Sequence, residues 1–85
     1  MPRPFNNHSV IISGALGDIG RSIVKAFVLK GANVALGDVK QIDEAQAFLA
    51  SLNLLNPEVK VLYDTVDVRD PSQVKQWVDR ATNEL

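Results

Sequence analysis

Three glycines decide most of what this chain can fold into. Gly14, Gly17 and Gly20 lie in the segment Ser13-Gly14-Ala15-Leu16-Gly17-Asp18-Ile19-Gly20, after the β-branched run Val10-Ile11-Ile12 and before a helical apolar period. A continuous apolar run of that kind is what a strand covered on both faces needs. The passage from strand to helix within a few residues asks for a sharp turn, a close backbone approach and a helix packed tightly on the strand. Glycine meets each of those demands. Backbone N–H groups and the positive end of the helix dipole then face out of the turn, an arrangement that suits a pyrophosphate.

The remaining pattern repeats the alternation. From Ile19 onward Ile19, Ile23, Ala26, Phe27 and Lys30 follow a helical stripe, and Gly31 stands where a left-handed cap is wanted. Asn33 to Leu36 reads as a second buried strand ending at Gly37-Asp38. Gln41 to Leu55 reads as a helix with Ile42, Ala45, Phe48, Leu49 and Leu52 on one side, stopped by Asn56-Pro57. Val59, Val61 and Tyr63 alternate with Lys60, Leu62 and Asp64 in a third strand, which Val66 extends. Asp70-Pro71-Ser72-Gln73 spells a helix start, with a cap residue, proline at the first position and glutamine at the third. Val74, Trp77, Val78, Ala81 and Leu85 make that helix's apolar stripe.

The order β-α-β-α-β-α predicts a Rossmann-like α/β fold, a doubly wound parallel sheet with right-handed crossovers. Residues 1–8, rich in Pro and Asn, read as a flexible lead-in. Residues 9–85 read as the N-terminal half of a dinucleotide-binding domain. In the doubly wound order 3-2-1-4-5-6 these strands supply only 3-2-1. Val10-Ile11-Ile12 is then an open, apolar edge, which invites pairing with another chain.

Composition removes several function classes. With 9 Lys plus Arg against 10 Asp plus Glu the net charge is −1, without the basic footprint of a nucleic-acid binder or a polybasic membrane patch. Cysteine is absent, and the single His8 has no ligand-spaced partner, so no metal site is assigned. No apolar run reaches the roughly 20 residues of a membrane span, and no signal-peptide core is present. The absence of such signals gives a cytoplasmic expectation. At 85 residues one small domain fits, of marginal stability alone.

Asp38 strengthens the glycine turn. It ends the second strand 18 positions after Gly20, where a carboxylate accepts hydrogen bonds from adenosine ribose hydroxyls and repels a 2′-phosphate, favouring NAD over NADP. Lys40 blurs that preference. The plainer alternatives are turn and packing glycines, and for Asp38 a solvated loop acid or a cap for the next helix. A P-loop fails at Ala15, and again where Arg21 stands in place of its lysine. The dinucleotide residues read from the chain are Gly14, Leu16, Gly17, Asp18, Ile19, Gly20 and Asp38.

Taken together these residues resemble the short-chain dehydrogenases/reductases from Val10 to Leu85. "VIISGALGDIGRSIVKAFVLKGANVALGDV" is similar to that family's first strand, glycine turn, first helix and second strand; "VDVRDPSQVKQWVDRA" is similar to its Asp-Val after the third strand and the helix that follows. The resemblance implies an NAD(P)-dependent oxidoreductase, homo-oligomeric as a whole protein, with Asp67 and Val68 along the adenine ring; an ordinary turn acid is the plainer reading of Asp67.

Two departures matter. Most single-domain members carry T-G-x-x-x-G-x-G; here Ser13 replaces Thr and Asp18 stands where that pattern has glycine, so the spacing fits the T-G-x-x-G-x-x-G of the extended branch. As an N-cap, Asp18 would use the same N–H groups and field as a pyrophosphate, which predicts weakened NAD binding if its carboxylate points inward. The family's N-N-A-G segment, catalytic Ser and Y-x-x-x-K are also missing. Tyr63, the only Tyr, is followed four residues on by Asp67, so no catalytic residue is assigned. The chain therefore reads as the cofactor-binding piece of a longer enzyme. The alternatives are a non-catalytic nucleotide-binding or dimerisation module, and a relic that no longer binds cofactor.

Overall fold

In the computed structural model of the protein, which describes residues 4–85, the β-branched run becomes β1 (Ser9–Ser13) and the glycine turn delivers the chain into α1 (Asp18–Leu29). β2 (Asn33–Asp38), α2 (Ile42–Leu55), β3 (Val61–Thr65) and α3 (Pro71–Glu84) follow. Both strand pairings are parallel, and β2 lies between β1 and β3. This is an α/β Rossmann-like unit. Among the described residues no helix is long and apolar enough to cross a membrane.

Register sorts the strand side chains onto two faces. Ile12 pairs with Leu36 and Leu36 with Tyr63, so these three form one row. That face packs on Val24 and Val28 of α1 and on Ala45, Phe48 and Leu52 of α2, which together form the main core. The opposite face carries Ala35 and Gly37, both buried. A Cβ on Gly37 would lie 2.8 Å from Cζ2 of Trp77, so α3 covers this second face. Ile11, on the same face at the sheet's β1 edge, is 41% exposed.

α1 turns a different side inward than the Ile19–Ile23 stripe suggests. Ile19 is 79% exposed and Ile23 is exposed too, while Val24 and Val28 are fully buried. The cause is Gly20. A Cβ there would sit 2.1 Å from the Gly14 carbonyl oxygen, so the helix seats Gly20 against the turn, and Val24, Phe27 and Val28 follow four, seven and eight positions later. In α2 the expected stripe holds through Ala45, Phe48 and Leu52, whereas Ile42 is 48% exposed because it opens the first turn.

The helix ends obey local chemistry. Gln41 caps α2: the Gln41 N–H donates to Glu44 Oε2 at 3.1 Å, and the Glu44 N–H to the Gln41 carbonyl at 3.0 Å. Asp70 caps α3 by accepting the Ser72 N–H at 2.9 Å, with Pro71 at the first helical position. Gly31 closes α1 at φ 96°, its N–H donating to Val28 O at 3.1 Å. Asn56 ends α2 and is itself buried, because its Nδ2 donates to Val28 O at 3.0 Å and its Oδ1 accepts the Glu58 N–H. β3 begins at Val61; Val59 is buried in the turn before it. Val66 lies past the strand, and its N–H still donates to Asp38 O at 2.8 Å.

Met1, Pro2 and Arg3 of the expected lead-in lie outside the described residues. Its remainder is docked: the Phe5 N–H donates to Lys30 O at 2.9 Å, and the Phe5 ring lies 5.4 Å from that of Phe27. An aromatic ring seldom stays in water when an apolar helix face is within reach.

Candidate functional site

β1 stops where Gly14 takes φ 63°, a left-handed conformation that only glycine adopts without strain. The turn is fastened on both sides. The Ala15 N–H donates to Gly37 O at 3.2 Å, and the Gly17 N–H to Gly14 O at 3.2 Å. Ala15 and Leu16 are buried, and the Leu16 side chain belongs to the main core. Arg21 Nε donates to the Leu16 carbonyl at 2.9 Å.

Gly17 is the N-cap of α1, and Asp18 is its first helical residue. This corrects the expectation that Asp18 is the cap. Gly17 has the extended conformation of a cap (φ −75°, ψ 167°), and among the described residues no side chain caps this helix. A Cβ at Gly17 would meet only Gly14 O, at an ordinary 3.5 Å, so the space over the first turn is open. Asp18 is exposed and places a negative charge in that first turn.

Asp38 ends β2 half-buried. Its Oδ2 accepts the Leu16 N–H at 3.0 Å, and its Oδ1 faces the Lys40 N–H at 3.4 Å. The carboxylate therefore joins the glycine turn to the turn that follows β2. It does not cap α2, a position Gln41 holds.

A cleft of about 320 Å³ opens beside it. Gly14, Asp38 and Val39 line it, with Asp67, Val68 and Arg69 from the loop after β3. So Gly14 and Asp38 share one cavity with Asp67 and Val68, four residues that three separate segments contribute. Leu16, Gly17, Asp18, Ile19 and Gly20 stand outside that lining, along the turn and the start of α1.

The Asp67 carboxylate is held by one neighbour. Its Oδ1 accepts both the Arg69 N–H and Arg69 Nε at 3.0 Å, and its Oδ2 accepts Arg69 Nη2 at 2.9 Å. The guanidinium, and after it the backbone N–H, lower the carboxyl pKa to about 2. The Asp67 N–H donates to Gln73 Oε1 at 2.9 Å, which anchors the loop to α3. Arg69 was not singled out in the sequence; its two-residue spacing from Asp67 is the signal that could have found it.

Tyr63 is 6% exposed and its hydroxyl donates to the Lys40 carbonyl, joined there by Thr65 Oγ1 at 3.0 Å. Burial, and then the negative charge of Asp38, raise its pKa. A buried phenol committed to a backbone carbonyl is a structural donor.

The short chain dehydrogenase family model matches residues 8–85. This chain belongs to the short-chain dehydrogenase family. Among curated relatives it is 34% identical over 74 residues to the short chain dehydrogenase/reductase dpmpG of Macrophomina phaseolina (strain MS6), an alignment covering 85% of this chain and 40% of that protein. Among solved structures it is similar to L-sorbose reductase from Gluconobacter frateurii, complexed with NADPH and L-sorbose, at 27% identity and a TM-score of 0.85; the match covers 100% of this chain and 32% of that one. An NAD+-bound xylitol dehydrogenase shares the fold at a TM-score of 0.85 and 23% identity, over 96% of this chain and 30% of its own. This short-chain dehydrogenase chain thus spans well under half the length of these relatives.

Proposed function

We propose that this chain holds the adenosine and pyrophosphate portion of a nicotinamide dinucleotide for an oxidoreductase, with NAD preferred over NADP. The observation that carries the reading is the Asp38 carboxylate at a cleft shared with Gly14 and with the Asp67-Val68 segment. The residues fit the group. Gly14 turns the backbone, Gly17 leaves the first turn of α1 uncovered, and the helix dipole favours an anion there. Asp38 would accept the ribose hydroxyls, and its charge would oppose a 2′-phosphate. Asp67 and Val68 would lie along the adenine ring. Leu16, Ile19 and Gly20 would shape the turn rather than touch the ring. Asp18, exposed at the first turn, lowers affinity for the pyrophosphate through like charge and leaves binding intact.

When bound, the dinucleotide supplies the hydride donor or acceptor of the reaction. This chain's own part is to bind and orient it. Tyr63 moves no proton, since its hydroxyl is spent on Lys40.

Calorimetric titration of the protein with NAD+ and with NADP+ tests the proposal. Tighter binding of NAD+, with the preference abolished in Asp38→Ser, supports it. Failure to bind either nucleotide would refute it and favour the relic; tighter binding of NADP+ would refute the cofactor preference.

A further inference from the structure

The turn that follows β2 is held from outside itself. Its Lys40 carbonyl receives two hydroxyl donors, Tyr63 and Thr65, two residues apart in β3 and therefore on one face of that strand. Both lone pairs of one carbonyl oxygen are thereby used. Thr65 is the register partner of Asp38, so the chain bends back over β3 within two residues of the acid. The N–H of the same residue, in the neighbouring peptide group across the Lys40 Cα, faces Asp38 Oδ1 at 3.4 Å. Asp38 Oδ2 in turn takes the Leu16 N–H. Lys40 thus receives the two β3 hydroxyls at its carbonyl and meets Asp38 at its N–H, while Asp38 in turn fastens the glycine turn. Buried and close to Asp38, the Tyr63 phenol stays protonated and remains a donor. Satisfying one carbonyl in a surface turn needs no second hydroxyl, and water would serve it. Two protein donors fix the peptide's orientation.

We propose that Tyr63 and Thr65 are positioning residues for ribose discrimination: together they hold the Lys40 peptide so that the Asp38 carboxylate is kept toward a ribose bearing a free 2′-hydroxyl and against one bearing a 2′-phosphate. The proposal rests on the dinucleotide reading above. With the hydroxyls removed, the turn gains freedom. Asp38 loses the donor at Oδ1, and Lys40, a cation two residues from the acid, becomes able to meet a phosphate. The ratio of the two affinities is therefore what the clamp controls.

The test is titration of NAD+ and NADP+ into the protein as expressed from its native gene, and into Tyr63→Phe, Thr65→Val and the double variant. Tyr63→Phe keeps the ring in the core, and Thr65→Val changes an exposed position, so the second reports even where the first is poorly folded. Each single variant is expected to lower the preference for NAD+ roughly fivefold, the change that one ordinary hydrogen bond is worth. The double variant should lower it further. A purely structural role would reduce the thermal midpoint and weaken both nucleotides equally; an unchanged affinity ratio in both single variants overturns the proposal. Should the unsubstituted protein bind neither nucleotide, the dinucleotide reading falls and this proposal with it. Normal NAD+ preference with an unmoved ratio in the variants removes the clamp alone.

Discussion

Asp38 Oδ2 accepts the Leu16 N–H at 3.0 Å across 22 residues of sequence. The acid at the end of β2 is thus also the fastening of the glycine turn after β1. A hydrogen bond to an ionised, half-buried acceptor is worth about 1.5–3 kcal/mol. Asp38→Ala should therefore destabilise the fold by about that amount in urea unfolding, whatever happens to nucleotide binding. Asp38→Asn keeps an acceptor of similar shape and should lose less. Equal stability of the Ala variant and the unsubstituted protein would mean that this bond carries no net weight.

Gly17 and Gly20 should behave oppositely. Gly20→Ala puts a Cβ 2.1 Å from the Gly14 carbonyl oxygen, where neither backbone can move aside, and should cost more than about 3 kcal/mol or abolish folding. Gly17→Ala meets Gly14 O at 3.5 Å, an ordinary contact, and should leave the thermal midpoint nearly unmoved. Its methyl group would still enter the space over the first turn and weaken NAD+ binding. Circular dichroism melts separate the two, and titration reads the second.

Trp77 is 5% exposed, and its Nε1 is buried without a partner among the described residues. An unsatisfied buried donor costs about 1–3 kcal/mol, so Trp77→Phe, which removes it, should change stability by less than about 1 kcal/mol. Trp77→Ala should cost about 3–5 kcal/mol. Gly37→Ala directs a Cβ at Cζ2 of the same indole, 2.8 Å away, and should be less damaging beside Trp77→Phe, whose ring lacks those atoms. A double-mutant cycle on denaturation free energies measures that coupling.

Two titrations have opposite signs. Arg69 lowers the Asp67 pKa to about 2, so its contribution to stability is fully present above the unfolded carboxyl value near 3.8 and is lost as pH falls toward 2. Carbon NMR of the Asp67 carboxyl should show that low midpoint, and Arg69→Ala should return it to the ordinary range. Tyr63 is raised, so its contribution is complete below the unfolded value of 10.0 and is lost as pH climbs beyond it. Alkaline unfolding followed by circular dichroism should shift to higher pH in Tyr63→Phe.

The six elements were readable from local signals such as Gly31 after α1, the Asp70-Pro71 start of α3, the β-branched run of β1 and the short apolar run of β2. What escaped was set by contacts distant in sequence. The inward side of α1 depends on Gly20 meeting Gly14, which overrides an Ile19–Ile23 ridge of equal hydrophobicity. The cap of α1 went to Gly17 because the left-handed turn at Gly14 brings the chain into the helix one residue early, at Asp18. Asn56 looked like a plain helix stop, and nothing local says that its amide reaches Val28 in α1. Within the candidate site, Asp38 was visible by its place after a strand. Its bond to Leu16 and the converging hydroxyls on Lys40 were hidden, since each joins segments more than 20 residues apart.

The two faces of the sheet are held unequally. α1 and α2 share the main core, whereas α3 rests on the other face through Trp77, Ala81 and the flat surface offered by Gly37, with Val78 39% exposed. α3 should accordingly be the unit that opens first in native-state hydrogen exchange, with β1, β2 and α1 protected until the whole molecule unfolds. The Asp67–Arg69 lip of the cleft is tied to α3 through Gln73, so opening of that helix should also loosen the side of the cavity opposite Asp38.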